Sequence, residues 1–160
     1  ATADYNRDGR VDLLIGDFIE GYQLFENQST QKNRWLALEL VGNGAVNRDA
    51  IGSRVRVTTP DGMIQMREVI AGSGLGAGNE LALNFGLGKH ELATKIEIRW
   101  PNGSVQTLEN VAADQQLQLE YGVENQSIPT RSTNENILML GALLGVLATL
   151  FLAFYALIEP

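Results

Sequence analysis

A short acidic turn near the N-terminus carries the side chains best suited to binding a metal ion. Its candidate ligands are the side chains of Asp4, Asn6, Asp8 and Asp12 and the backbone carbonyl of Arg10. Ca²⁺ is a hard cation that takes about six to eight oxygen ligands, and this spacing places oxygens at alternate positions of one tight loop. Gly9 permits the sharp turn that such a loop needs. We therefore expect a Ca²⁺ site, the alternative being a solvated Asp/Asn turn without metal.

This turn differs from the calcium loop of an EF-hand in two ways. An EF-hand has a bidentate Glu at the last loop position, where this chain has Ile15. The turn is also followed by the β-type run 11–15 and not by an amphipathic helix. The predicted site therefore belongs to a β-rich context.

Side chains that could carry out catalysis are scarce. The chain has no Cys, and its one His, His90, stands in a polar loop where a surface position is expected. The glycines of segment 72–76 lack the third Gly of a dinucleotide fingerprint, and no amphipathic helix follows them. Four charged residues on predicted strands are interpreted as solvent-facing cross-strand charges: Arg54, Arg56, Glu97 and Arg99. We expect no enzyme activity and no small-molecule substrate.

The overall charge disfavours one class of partner. The net charge is −7 at neutral pH. Binding to a phosphate backbone requires clustered Lys and Arg that displace counterions, and the sequence has no such cluster. We therefore expect no nucleic-acid partner.

Short alternating segments between Gly- and Pro-containing turns predict an all-β fold. Two hairpins are predicted, one with strands 53–59 and 63–70 around Thr59-Pro60-Asp61-Gly62, the other with strands 95–100 and 105–108 around Pro101-Asn102-Gly103. Further strands are predicted at 11–15, 22–25, 35–41, 81–85 and 115–121, and loops at 71–79 and 86–92. Trp35 and Trp100 are expected in the core or on a sheet face. This spacing predicts an antiparallel β-sandwich or barrel-like domain.

The apolar segment 137–158 predicts a single C-terminal transmembrane helix. No charged residue interrupts its 22 positions. At a rise of about 1.5 Å per residue it spans about 33 Å, close to a hydrocarbon core of about 30 Å. Gly141 and Gly145 lie on one face of this helix and permit close approach of a neighbouring helix. The lipid bilayer and other transmembrane proteins of a complex are therefore the predicted partners.

The acidic turn and the residues after it, Leu13-Leu14-Ile15-Gly16-Asp17, resemble an FG-GAP repeat. This repeat is the calcium-loop blade unit of integrin-α-type β-propellers. Such a blade has four strands, and only two can follow the turn here. The chain also begins at Ala1, without Met or a signal peptide. The resemblance therefore implies that residues 1–30 are a partial repeat at the end of a longer propeller.

A second resemblance covers residues 34–121, over half of the chain. Its motifs are Asn47-Arg48-Asp49-Ala50-Ile51-Gly52-Ser53-Arg54-Val55, Ala71-Gly72-Ser73-Gly74, Phe85-Gly86-Leu87-Gly88, Arg99-Trp100-Pro101-Asn102-Gly103 and Gln106-Thr107-Leu108-Glu109-Asn110-Val111. In this order they resemble the ASPIC and UnbV domain, found after FG-GAP repeats in cartilage-acidic-protein-like extracellular and bacterial proteins. The resemblance implies an extracytoplasmic, non-catalytic binding module with no established ligand. The Gly-rich segment 75–79 and the transmembrane helix depart from the family pattern.

Three functions remain open for a chain organised in this way. The first is an accessory subunit of a larger membrane complex, for example a photosynthetic or respiratory one, with the β domain on the extracytoplasmic side. The second is a free-standing calcium-dependent adhesion or recognition protein at the cell surface, and the third is a membrane-tethered enzyme. We favour the first, because the linker 122–136 is short and only Glu159 and Pro160 follow the helix. Packing within the bilayer is then the main contact that the helix can make.

Overall fold

Ten strands make up the part of the chain that the computed structural model describes, which is residues 1–17, 19, 21–30, 32–72, 74 and 78–123. The strands are β1 (Thr2–Ala3), β2 (Asp12–Asp17), β3 (Gly21–Phe25), β4 (Arg34–Val41), β5 (Arg54–Thr58), β6 (Ile64–Glu68), β7 (Leu83–Gly88), β8 (Leu92–Arg99), β9 (Val105–Ala112) and β10 (Gln115–Glu120). They form three sheets. The prediction of an all-β fold is confirmed for these residues.

The first three strands form a small sheet in the order β1-β2-β3, called here the N-terminal sheet. Leu13 of β2 pairs with Thr2 on one side and with Phe25 on the other, both antiparallel. Nearly all side chains of β2 and β3 are exposed, and Tyr22 reaches 84%. Within the described residues, this sheet therefore buries little of its own apolar surface.

The seven later strands form a β-sandwich-like body of two sheets, called here the sandwich. One sheet has the order β10-β4-β7 and the other β6-β5-β8-β9. The predicted antiparallel pairing is confirmed for every pair but one, since β10 runs parallel to β4 with Leu117 beside Leu38. The chain passes from β9 to β10, and from one sheet to the other, through Ala113 and Asp114 alone.

The core lies between the two sheets of the sandwich. Its largest fully buried apolar side chains are Phe85, Leu36, Leu38, Leu87, Ile96, Ile98, Leu119, Val55, Val57, Val69 and Val111. Arg54 and Arg56, which alternate with two of these valines, are exposed as predicted, and Arg54 forms an ion pair with Glu68 at 2.8 Å. Burying one such apolar side chain contributes about 1.5–3 kcal/mol. This core is therefore the main source of stability in the described part of the chain.

Both predicted hairpins are confirmed. The β5–β6 turn contains Gly62, whose φ is 84° and whose N–H donates to the carbonyl of Thr59 at 2.9 Å. The β8–β9 turn contains Gly103, whose φ is 89° and whose N–H donates to the carbonyl of Trp100 at 2.9 Å. Positive φ is readily adopted only by Gly, so these two residues set the turns.

The structure corrects two predicted boundaries. The predicted loop at 86–92 is wrong in its first half, because β7 continues into it. The predicted strand 105–108 is too short, because β9 runs on to Ala112. Asn110 has a positive φ of 53°, which shifts the alternation so that Val111 faces the core. A search for strict period-two alternation therefore ends the strand too early.

The predicted transmembrane helix, 137–158, with Gly141 and Gly145, and most of the linker 122–136 lie outside the described residues. Among the residues that are described, no helix is long and apolar enough to cross a membrane. The transmembrane helix therefore stays a prediction.

Candidate functional site

The acidic turn between β1 and β2 is organised by backbone hydrogen bonds to its own carboxylates. The two carboxylate oxygens of Asp4 accept the N–H groups of Asp8 at 3.0 Å and of Gly9 at 2.8 Å. Gly9 has a φ of 85°, a conformation that Gly adopts at little cost. Asp4 thus holds the two ends of the turn together.

The second carboxylate, Asp8, joins the turn to Asn6 and Arg10. Its Oδ1 accepts the backbone N–H of Arg10 at 2.9 Å, and its Oδ2 accepts from Nδ2 of Asn6 at 2.9 Å. The Arg10 guanidinium forms an ion pair with the same carboxylate, and its Nε donates to the carbonyl of Asn27 at 2.7 Å. Both partners of the ion pair reach solvent, so the pair adds at most about 1 kcal/mol.

The third carboxylate, Asp12, is buried, with 2% of its surface exposed. One of its oxygens accepts the N–H of Tyr5 at 3.1 Å, and the other accepts the N–H of Asn27 at 2.8 Å. These donors offset the loss of hydration that burial of a carboxylate entails. Asp12 therefore ties the turn, β2 and the segment after β3 to one another.

The donor chemistry of the acidic turn fits the predicted Ca²⁺ ion, because the Asp and Asn side chains and the Arg10 carbonyl are hard oxygen ligands. Their arrangement does not gather the carboxylates at one point. In the part of the chain that the structure describes, no three or more His, Cys, Asp or Glu side chains are grouped so that they could hold a metal ion. The calcium site stays a prediction.

The acidic turn is attached to the sandwich by contacts that the sequence does not reveal. The indole of Trp35 on β4 packs against the backbone of Gly9 so closely that a Cβ there would overlap the ring. Glu80, which precedes β7, accepts the N–H of Asp4 at 3.1 Å and donates its own N–H to the carbonyl of Thr2 at 3.0 Å. The alternation of β4 places Trp35 on a sheet face, as predicted, but it does not show what that face covers.

The segment 47–53 forms a tightly bonded turn ahead of β5. The Asn47 side chain accepts the N–H of Ile51 at 2.8 Å and donates to the Ile51 carbonyl at 3.0 Å. Ala50 is fully buried and has a φ of 52°, and Gly52 has a φ of 90°. The small residues and the bridging amide therefore shape the turn, so this motif has a structural role.

The segment 99–103 joins the β8–β9 turn to the end of β10. Trp100 is buried and meets the ring of Tyr121 edge-on, with the ring centroids 5.3 Å apart. Nδ2 of Asn102 donates to the Tyr121 hydroxyl at 2.7 Å. An edge-to-face pair of this kind adds about 0.5–1.5 kcal/mol beyond its buried area. This motif therefore also stabilises the fold.

Asp61, in the β5–β6 turn, is a surface carboxylate of the sandwich with several hydrogen-bond donors around it. A hydrogen bond from the Thr59 hydroxyl and one from the Met63 N–H lower the pKa of Asp61 below its ordinary value. His90 lies 3.3 Å away and lowers this pKa further. Asp61 is largely exposed, so this depressed pKa reflects a hydrogen-bonded surface turn and not a general base in a cavity.

Comparison with known proteins agrees with the motifs of the sandwich. Residues 43–126 match the ASPIC and UnbV family. Over 110 residues, 67% of this chain, the sequence is 29% identical to cartilage acidic protein 1 of Xenopus tropicalis. The matching part covers 16% of that protein, so the chain spans less than a fifth of the relative's length. The family match extends over more than half of the residues, and the chain belongs to the ASPIC and UnbV family.

Proposed function

We propose that this chain is a non-catalytic β module, held at a membrane by residues 137–158, that serves as an accessory subunit of a larger membrane complex. Membership of the ASPIC and UnbV family carries this proposal. The family motifs of segments 47–53 and 99–103 take part in turn formation and core packing. Because these motifs build the fold, they support a scaffold role in which the surface of the module contacts other proteins, as expected for an extracellular or adhesion-type module.

The N-terminal sheet supports a role within a larger assembly. Leu14 lies opposite Leu24 on one face, and Leu13 lies opposite Phe25 on the other. All four side chains are exposed. A sheet with apolar pairs on both faces is typical of a sheet covered on both sides, and contiguous exposed apolar surface marks interaction sites. We propose that this sheet is the end of an FG-GAP-type blade that packs against further blades.

A Ca²⁺ ion bound through Asp4, Asn6, Asp8, Asp12 and the Arg10 carbonyl is part of this proposal. Replacement Asp8→Ala should abolish Ca²⁺ binding to the acidic turn, because it removes a carboxylate from a site that needs many oxygens. Calorimetric titration of the full-length protein measures the affinity. The matched control is Asp61→Ala, a carboxylate of another turn. Equal calcium affinity in Asp8→Ala and in the unaltered protein would refute the site.

The β domain is proposed to lie outside the cytoplasm. Family membership supports this placement, and a weak Ca²⁺ site fills only where the ion is abundant. Protease added to intact cells or right-side-out vesicles should cut within the linker 122–136. Cleavage that occurs only after lysis would place the domain on the cytoplasmic side.

A free-standing adhesion or recognition protein is the second candidate, favoured by the exposed apolar faces of the N-terminal sheet. The two functions differ in what the predicted helix contacts. A complex subunit stays with its partners in mild detergent, whereas a free-standing protein is recovered alone.

Co-purification of the double variant Gly141→Leu/Gly145→Leu tests the subunit role. Leu at both positions fills the groove that admits a neighbouring helix, yet favours membrane insertion. We expect normal insertion and loss of partners. The control variant Val146→Leu/Ala153→Leu adds bulk away from the glycine face and should keep them. Unchanged recovery of partners with the glycine variant would show that this face is not the contact.

A further inference from the structure

One edge of the sandwich has backbone groups that pair with no described strand. β6 is the last strand of its sheet, so within the described residues no strand follows it. Thr59 donates its N–H to Met63, and Val69 donates to Ser53, at 3.0 and 2.9 Å. Because hydrogen-bonding direction alternates along an antiparallel strand, the backbone groups of the even-numbered residues of β6 point away from β5. Those residues are Ile64, Met66 and Glu68.

On β6 a charged side chain lies on the inner face and apolar side chains lie on the outer face, which is the reverse of the usual arrangement in a sandwich. Arg67 is exposed, but it lies opposite the fully buried Val55 and therefore on the face that points toward the opposite sheet, and its guanidinium lies 5.6 Å from the ring centroid of Phe85. Ile64 and Met66 point to solvent instead, with 65% and 57% of their surfaces exposed. This edge therefore presents a cation on its inner side and apolar side chains on its outer side.

The inward cation lacks an anionic partner. Among the described residues, Arg67 has no carboxylate within ion-pair distance, and its one contact of note is the Phe85 ring. The nearby acids are engaged elsewhere. Glu68 pairs with Arg54 at 2.8 Å, and Glu80 accepts hydrogen bonds from Asp4 and from Asn84. An incoming carboxylate is therefore complementary to Arg67.

A cleft opens beside this cation. It has a volume of roughly 460 Å³, within the range of about 300–1,000 Å³ that is usual for binding sites. Its walls come from the second half of β6, the residues before and at the start of β7, and the N-terminal segment through Thr2 and Val11. Arg67 and the backbone of the second half of β6 thus border one cleft.

We propose that the free edge of β6 binds an extended acidic segment of a partner protein as an added strand. The partner's backbone pairs with Ile64, Met66 and Glu68. Its inward side chain is an Asp or Glu whose carboxylate pairs with Arg67 beside the cleft. One flanking side chain is apolar, lies opposite Met66 and reaches Ile64 on the diagonal, and the other flanking side chain lies opposite Glu68. The proposal rests on the role as an interaction module, and it requires neither the transmembrane helix nor Ca²⁺.

An inward Arg on an edge strand also has a simpler role, which is to prevent unwanted edge-to-edge pairing. That role calls for a charge but not for two exposed apolar side chains on the other face of the same strand. The arrangement of Arg67 next to Met66, with Ile64 on the same outer face, matches an incoming strand with an inward acidic side chain beside an outward apolar one.

The test uses the full chain and a fluorescent peptide, Thr-Val-Glu-Val-Thr-Lys, with binding followed by anisotropy. We expect saturable binding that weakens at least about tenfold in Arg67→Gln, because a charge-assisted hydrogen bond is lost. Arg99→Gln removes the same charge from the outer face of the sandwich and should bind as the unaltered chain does. A peptide with Gln in place of Glu should bind the unaltered chain more weakly by the same factor. Its affinity for Arg67→Gln should equal that of the original peptide for the same variant.

A second variant tests the added strand. Met66→Pro removes a backbone N–H that points away from β5, so the β5–β6 hairpin is kept while strand addition is blocked. We expect loss of peptide binding with unchanged circular dichroism. The proposal would be overturned if Arg67→Gln bound the peptide with the same affinity as the unaltered chain, or if Met66→Pro still bound it. A dimer, seen by sedimentation, that Met66→Pro dissociates would also overturn it, because the occupant would then be a second copy. None of these results affects co-purification of the glycine-face variant.

Discussion

In the N-terminal sheet Leu14 lies opposite Leu24 and both are exposed, whereas in the sandwich Leu38 lies opposite Leu83 and both are buried. The cross-strand pair is chemically the same in the two regions. What differs is the second layer, since the sandwich sheet has another sheet packed against it at a typical distance of about 10 Å. An apolar pattern thus indicates which face of a sheet can be buried, and the face becomes a core only when another layer packs against it.

The largest difference is expected between matched Leu→Ala substitutions. Leu38→Ala should lower the free energy of unfolding by about 2–5 kcal/mol, because it leaves a cavity in a packed core. Leu24→Ala should change it by at most about 0.5 kcal/mol, because the side chain is exposed. Urea unfolding followed by the fluorescence of buried Trp100 measures both. Similar losses in the two variants would show that the N-terminal sheet has a core of its own.

A second substitution tests how the two regions are joined. Gly9→Ala places a Cβ into the Trp35 ring and imposes a positive φ on Ala, which by itself costs about 1–3 kcal/mol. Hydrogen exchange of β2 and β3 should accelerate, with the sandwich protected as before.

The control for this substitution is Gly21→Ala. Gly21 also has a positive φ, of 81°, but a Cβ there would meet no atom within 4 Å. The difference between the two variants isolates the contact with Trp35. If both accelerate exchange equally, backbone strain alone explains the effect and the indole contact is not what holds the turn.

Within the sandwich, a smaller effect is expected from the motif at 47–53. Asn47→Ala removes both hydrogen bonds to Ile51 and should cost about 1 kcal/mol in the free energy of unfolding. Asn47→Asp keeps the acceptor oxygen and loses the N–H donor. Its free energy of unfolding should therefore lie between those of the unaltered chain and of Asn47→Ala. Chemical denaturation ranks the three proteins. Unchanged stability in Asn47→Ala would show that the two hydrogen bonds to Ile51 do not stabilise this turn.

The smallest effect concerns acid stability and the β5–β6 turn. The folded-state pKa of Asp61 lies below its ordinary value of 3.8, so its ionised form is favoured in the folded protein. This stabilisation is complete above that ordinary value and declines as the pH falls through the lower folded-state pKa. Asp61→Asn should flatten the dependence of stability on pH in this acid range, because the variant lacks the stabilisation that the ionised carboxylate gives at higher pH and has none to lose on acidification. A pH profile identical to that of the unaltered chain would contradict the assignment.

Local turn chemistry made much of this fold predictable. Gly62 and Gly103 mark two hairpins that the structure contains, since each must adopt a positive φ. The parallel pairing of β10 with β4 was not predictable in this way, because no turn chemistry connects strands so far apart in the sequence. Long-range pairing depends on the packing of the whole core.

β6 shows why side-chain alternation alone misleads at a sheet edge. A period-two pattern would place Ile64 and Met66 in the core, but the register with β5 places Arg67 on the inner side. Register is set by the β5–β6 turn, and a shift of one residue would exchange the two faces. The acidic turn was predictable from its spacing, whereas its attachment to Trp35 involves a contact between distant residues that spacing cannot show.

The two-residue link from β9 to β10 has a consequence for how the chain folds. Asp114 in this link pairs with Arg34 at the start of β4, 80 positions earlier, and donates its N–H to Trp35 at 2.7 Å. During synthesis one edge of β4, the first strand of the sandwich, therefore stays unpaired until β10 has left the ribosome. Closing a loop of that length is slow relative to local hairpin formation. We expect both hairpins to form early and closure of the sandwich to limit the folding rate, so that nascent chains shorter than β10 are the species most exposed to aggregation.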